Sequence, residues 1–187
     1  SSMSLGELRD RLSESILQTA KRTTLTEGRH ANLRIVIDAS FLLLDEDQKK
    51  GLREAAVFRG GFTTRAARSV LSNPDPEGLL ASLQGHSLAT ASAGRAQYRF
   101  RLLDSVIEYA DEVGDSIETE AARSRHLDFF SEELERFRPA LARDEWREVG
   151  RFLEEERGNL AQAVKTLNSA HQAPRIGRFA DAALTAF

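Results

Sequence analysis

A chain of 187 residues with 41% hydrophobic and 29% charged side chains holds enough for one ordinary domain, or a small domain and part of a second, and is too apolar for a disordered tail. The net charge of -3 argues against a uniformly basic nucleic-acid coat but leaves room for a local basic face, and the absence of cysteine excludes disulfides and thiolate metal sites. No apolar run nears the roughly 18 residues of a membrane helix, and no signal-peptide pattern opens the chain, so the expectation is a cytoplasmic protein with no membrane partner. The opening "SSM" reads as a cloning remnant before Met3, and the closing "DAALTAF" stops inside a helical pattern, which points to a fragment of a longer protein.

Ser4 and Glu7 have capping-box spacing ahead of Leu8, Leu12 and Ile16, predicting a first helix; a polar connector over Lys21–Arg29 follows. Leu33, Val36, Ile37, Ser40, Phe41 and Leu44 fall on one helical face. Asp45–Gln48 caps a helix carrying Leu52, Ala55, Ala56 and Phe58. After Gly60 and Gly61, Thr63 or Thr64 caps a short helix with Ala66, Ala67 and Val70. "SNPDPEG" (Ser72–Gly78) is a turn by composition, and Leu79, Leu80 and Leu83 mark another short helix ending near Gly85. The period then changes: Ser87–Ala91 and Tyr98–Leu103 read as a hairpin in which Tyr98 and Phe100 alternate with Arg99 and Arg101. Val106, Ile107, Ala110 and Val113 restore a helix.

Beyond Gly114 every pattern is helical: Arg123, Leu127, Phe130, Leu134 and Phe137, with Pro139 as a stop; then Trp146, Val149 and Leu153; then Leu160, Ala163, Val164 and Leu167; and, past Pro174, Ile176, Phe179, Ala180 and Leu184. "WREVGRFL" loosely fits a tetratricopeptide opening at Trp146, Val149, Gly150 and Leu153. The fold class expected is therefore mainly α. An N-terminal helix and connector (1–28) precede a winged helix-turn-helix domain with one small β-hairpin (29–114), and the truncated start of an antiparallel tetratricopeptide-like helical repeat (115–187) follows.

Candidate sites weigh against catalysis. Gly60 and Gly61 lack the strand before them and the lysine after them that a phosphate loop needs, so a structural corner with positive φ is the simpler expectation. "GHSLA" (Gly85–Ala89) lacks the second glycine and the following helix of a hydrolase elbow. His30, His86, His126 and His171 include no pair at helical metal spacing and are expected at surface or capping positions, and Asp45, Glu46 and Asp47 serve capping better than a cation. The basic residues carry more weight. From Arg59 to Arg101 stand six arginines against two acids. Arg65 and Arg68 lie one turn apart on an expected recognition helix, and Arg95, Arg99 and Arg101 lie on an expected wing, where a winged helix meets phosphates and bases. A solvated face or an intramolecular contact is the alternative use of the same charges.

From Arg29 to Leu167 the chain resembles the segment that follows the ATPase core in bacterial STAND signal-transduction ATPases, such as AfsR-like and LuxR-like regulators with tetratricopeptide tails. The resemblance rests on Arg29-His30 leading to Ser40, Phe41, Leu43 and Leu44; on the "VFRGGF" corner (Val57–Phe62); on Leu79, Leu83, Ser87 and Leu88; on "YRFRLLDSVIEYA" (Tyr98–Ala110); and on the "ExxNLxxAV" run (Glu156–Val164). It implies a non-catalytic regulatory module that couples the nucleotide state of an upstream ATPase domain to a helical-repeat sensor, in transcriptional or kinase signalling. ATP or ADP would sit in that upstream domain, with no cofactor or metal in the fragment itself. The implied partners are the intramolecular ATPase domain and a protein or inducer bound through the repeats. In related plant and animal switch ATPases a Met-His-Asp motif sets a histidine near the ADP phosphate; its positions here are Leu102, Leu103 and Asp104, and leucine has no group to hydrogen-bond a phosphate. The alternative is a DNA-binding winged-helix transcription regulator with a helical dimerisation domain.

Overall fold

The computed structural model describes residues 27–94, 98–114, 116–137, 139 and 146–169. The expected helix from Ser4, Arg95 of the expected wing, His171 and the expected last helix from Ile176 lie outside the described residues. Helices dominate. In chain order they are α1 (Glu27–Leu42), α2 (Glu46–Ala55), β1 (Phe62–Thr63), α3 (Thr64–Val70), α4 (Pro76–Gly85), β2 (Ala89–Ala93), β3 (Tyr98–Leu102), α5 (Asp104–Val113), α6 (Ser116–Arg136), α7 (Trp146–Glu155) and α8 (Arg157–Ser169), with the strands interspersed.

Local chemistry sets most of the boundaries. Asp45 and Gln48 close a capping box on α2: the Gln48 N–H donates to Asp45 Oδ1 at 2.8 Å, and the Asp45 N–H donates to Gln48 Oε1 at 3.1 Å. Both bonds occupy amides that a first helical turn leaves without partners. Thr63 caps α3 by accepting from the Ala66 N–H. Asp75 caps α4, and Pro76 stands in its first turn, where a missing N–H costs nothing.

The spacing predicts a single hairpin, whereas the structure has three antiparallel strands in the order β1-β3-β2. Phe62 pairs with Phe100 and Thr63 with Arg99, so β3 is central. Two residues show no alternation, and hydrophobic period therefore carries no sign of β1. It forms because the glycine corner ahead of it turns the chain back onto β3.

One core cluster runs from α2 across the sheet into α6 and α8: Leu52, Phe58, Phe62, Val70, Leu80, Leu83, Leu102, Val106, Leu127, Phe130, Ala163 and Leu167 are all buried in it. Phe58 and Phe62 stack across the corner with ring centroids 4.1 Å apart. Two expected faces are only partly inward. Ile37 on α1 and Leu44 just beyond its end are buried, but Leu33 and Val36 are 40% and 41% exposed, because α5 is the main described neighbour and covers one side of the helix. On β3 the expected apolar and basic faces do not hold: Tyr98 is 67% exposed, while Arg99 turns inward to an ion pair with Glu156. Val113 and Val164, both expected inward, are exposed.

Candidate functional site

The corner that links α2 to β1 is where α8 meets the rest of the chain. Gly60 and Gly61 have φ of 90° and 101°, backbone that side-chain-bearing residues avoid, so the corner expected at these glycines is present. A Cβ on Gly61 would stand 3.1 Å from the Phe100 carbonyl oxygen, whereas one on Gly60 would meet nothing within 4 Å. The α8 helix approaches from the other side. A Cβ on Gly158 would lie 2.5 Å from the Arg59 carbonyl oxygen, so only glycine permits this contact.

Asn159, fully buried, clasps the corner with both ends of its amide. Its Oδ1 accepts from the Arg59 N–H at 2.8 Å, and its Nδ2 donates to the Gly61 carbonyl at 2.8 Å and to Glu156 Oε2 at 2.7 Å. Arg99 completes the network from β3: Nη1 donates to Glu156 Oε1 at 2.5 Å and Nη2 to the Gly61 carbonyl at 3.1 Å. Glu156 and Asn159, three residues apart, reach the same corner because that spacing puts them on one helical face. The buried polar row continues with Gln162 and Thr166.

His126 of α6 lies beneath the clasp, with ring centroids 5.3 Å from Phe58 and 4.7 Å from Phe130. Burial pushes its pKa down to about 4, so the ring is neutral at neutral pH. Its Nε2 is 3.5 Å from Asn159 Oδ1, an acceptor, which assigns the ring proton to Nε2; Nδ1 has no hydrogen-bond partner among the described residues. A second anchor ties α6 to the short helices. Buried Glu54 accepts from Arg125 Nη2 at 2.9 Å and from the Ser72 N–H at 2.6 Å, and Arg125 Nε donates to the Val70 carbonyl at 2.6 Å. Arg53 and Glu118 pair at 3.0 Å beside it.

The arginines expected to form a basic face separate into two groups. Arg65 pairs with Glu133 of α6 and lies over the Phe129 ring, 5.0 Å from its centroid. Arg99 is drawn into the clasp, with 15% of its side chain exposed. Arg68 pairs with Glu77 at 2.5 Å and Arg101 with Asp104 at 3.4 Å, and both remain accessible. Arg65 and Arg68 do share one helix, but it is α3, the first of the α3–α4 pair; in a helix-turn-helix the second helix is the reader. The turn at Ser72–Asp75 starts α4, whose ten residues include no lysine or arginine.

Elsewhere a cleft of about 250 Å³ lies between α1 and α5, lined by Leu33, Ile37 and Tyr109 with the Arg34–Glu112 ion pair at its edge. Burial and a hydrogen bond to Asp38 push the Tyr109 hydroxyl up to about 12. Among the described residues no group of three or more His, Asp or Glu side chains is placed to hold a metal ion, and no helix is long and apolar enough to cross a membrane. Ser87 lies in the α4–β2 turn and leads into a strand, without the helix that a nucleophile elbow places behind its serine.

The sequence singles out the corner and the arginines but not what holds them. Glu54 and Arg125 were in no expected site, His126, expected at a surface or capping position, is fully buried among aromatic rings, and Glu156 and Asn159 stood only in a family-like run. Their signal is a polar side chain at an inward position of an apolar period.

No protein-family model and no solved structure matches the chain. Over 136 residues, 70% of this chain, it is 35% identical to proteins of Mycobacterium bovis and of two Mycobacterium tuberculosis strains, each provisionally named an HTH-type transcriptional regulator. The matched part is 15% of the length of each of these curated relatives, so the chain is similar to a minor portion of proteins several times its size.

Proposed function

We propose that the chain is a regulatory, non-catalytic segment of a longer helix-turn-helix-type transcriptional regulator. In this reading α2, β1, α3, α4 and the β2–β3 hairpin act as a winged helix, and α6 to α8 act as the start of a helical-repeat extension docked on it. The observation that carries the proposal is the Asn159 clasp, in which one helix grips the backbone of the corner between two others through hydrogen bonds. An interface of this kind suits a module with two packings separated by a few kcal/mol. The transcriptional setting is supported by the names of the relatives. The resemblance to STAND ATPases supports a finer version, in which the docked module reports ATP or ADP bound in an upstream domain and the repeats take a protein or inducer. The segment itself would hold no cofactor and turn over no ATP.

The relatives' names also favour a second reading, a winged helix that binds DNA directly through Arg65, Arg68, Arg95, Arg99 and Arg101. Against it stand α4, which carries Glu77 and no lysine or arginine, and the carboxylates that already occupy Arg65 and Arg99. Titration into labelled random duplex DNA at about 50 and 200 mM salt separates the two, because phosphate contacts weaken steeply with salt. A folded protein that does not bind at the lower salt supports docking. Salt-sensitive binding that disappears in Arg65→Glu/Arg68→Glu moves the assignment to the direct reader.

A further inference from the structure

We propose further that the α6–α8 layer is an autoinhibitory cover over a basic face, and that release of this cover lets α3 and β3 bind the phosphate backbone of duplex DNA. The inference rests on the regulatory reading above. Two of the four described arginines on α3 and β3 are neutralised from the same layer: Glu133 of α6 holds Arg65, and Glu156, at the start of α8, holds Arg99. A guanidinium fork recognises carboxylate and phosphate by the same charge-assisted hydrogen bonds, so each glutamate occupies a position a DNA phosphate could take. Arg68 and Arg101 face exposed acids, a type of pairing worth little in water, and are already available. The cover is also made to come away. Glu156 and Asn159 meet the corner through hydrogen bonds to Arg99, to the Arg59 N–H and to the Gly61 carbonyl, bonds that water can take over when the contact opens. At the closest approach Gly158 places no side chain across the corner.

Two independent variants release the cover. Gly158→Leu wedges α8 off the Arg59 carbonyl and frees Arg99 from Glu156, and Glu133→Gln/Glu156→Gln removes both competing charges while keeping side-chain size. Glu132→Gln/Glu135→Gln, on exposed positions of α6, controls for the change in net charge. Each protein is titrated against a labelled random duplex, while hydrogen exchange monitors α8 and circular dichroism the fold. The proposal expects wild type and control not to bind. Both released variants should bind, with affinity falling between 50 and 200 mM salt by about 40-fold for Gly158→Leu, the slope of three phosphate contacts, and by about 150-fold for the glutamine pair, the slope of four. Adding Arg65→Ala/Arg99→Ala to the glutamine pair should abolish that binding. Faster α8 exchange in a folded variant without DNA binding overturns the masked face and leaves the regulatory docking intact. Failure of both variants to loosen α8 overturns the releasable cover. Wild type binding as tightly as the released variants overturns both this inference and the docking reading.

Discussion

At the residue scale the two corner glycines make separable predictions. Both have positive φ, but only Gly61 also has a carbonyl in the way of a Cβ. Gly60→Ala should cost about 1 kcal/mol for the left-handed backbone alone, and Gly61→Ala or Gly61→Val about 1–3 kcal/mol. Urea unfolding checks this, and equal effects at the two positions would contradict the geometry. His126 sets a pH dependence. Burial lowers its folded pKa from 6.5 to about 4, so the unfolded chain binds more protons between those values. The stability it contributes is complete above pH 6.5 and is lost as pH falls toward 4. Wild type should therefore lose on the order of 3 kcal/mol more than His126→Phe between pH 7 and pH 4, measured by denaturant titration at each pH. The positive φ of the corner was legible because two glycines between apolar runs have few other uses. His126 was not legible, since a lone histidine in a helical pattern carries no mark of burial.

At the element scale the helices were legible wherever period and cap agreed, as at Asp45 for α2 and Thr63 for α3. The strand β1 was not, because its existence depends on β3 approaching across the chain. The role of α8 was hidden for the same reason. Glu156 and Asn159 look like solvent-facing polar residues until the corner they grip is in place. Asn159→Ala would leave the Arg59 N–H without its acceptor, at about 1–3 kcal/mol, and take one of the two donors from the Gly61 carbonyl, which keeps Arg99. The expected destabilisation is about 1–4 kcal/mol by equilibrium unfolding; a value near zero would mean that α8 contributes nothing by docking. Glu54→Gln tests the second anchor. It keeps a group able to accept from the Ser72 N–H but weakens the pair with Arg125, and should cost less than Glu54→Ala, which strands both partners.

At the scale of the whole molecule the basic run from Arg59 to Arg101 was plain in the sequence, but its use was not. Whether an arginine meets DNA or a glutamate depends on Glu133 and Glu156, which lie 68 and 57 residues further along the chain from Arg65 and Arg99 and enter only through tertiary packing. Mainly helical architecture with a small antiparallel sheet followed from period. The assignment of the extension as a reversible cover comes from the hydrogen-bonded contact alone. Native-state hydrogen exchange tests that claim most directly, with the Arg59 amide as reporter because it donates to Asn159. Reversible docking predicts that this amide and those of α8 open together, at a free energy clearly below that of the Leu52 and Phe62 amides in the core. If all of them exchange only through global unfolding, at one common free energy, α8 is a fixed part of the fold and the regulatory reading fails.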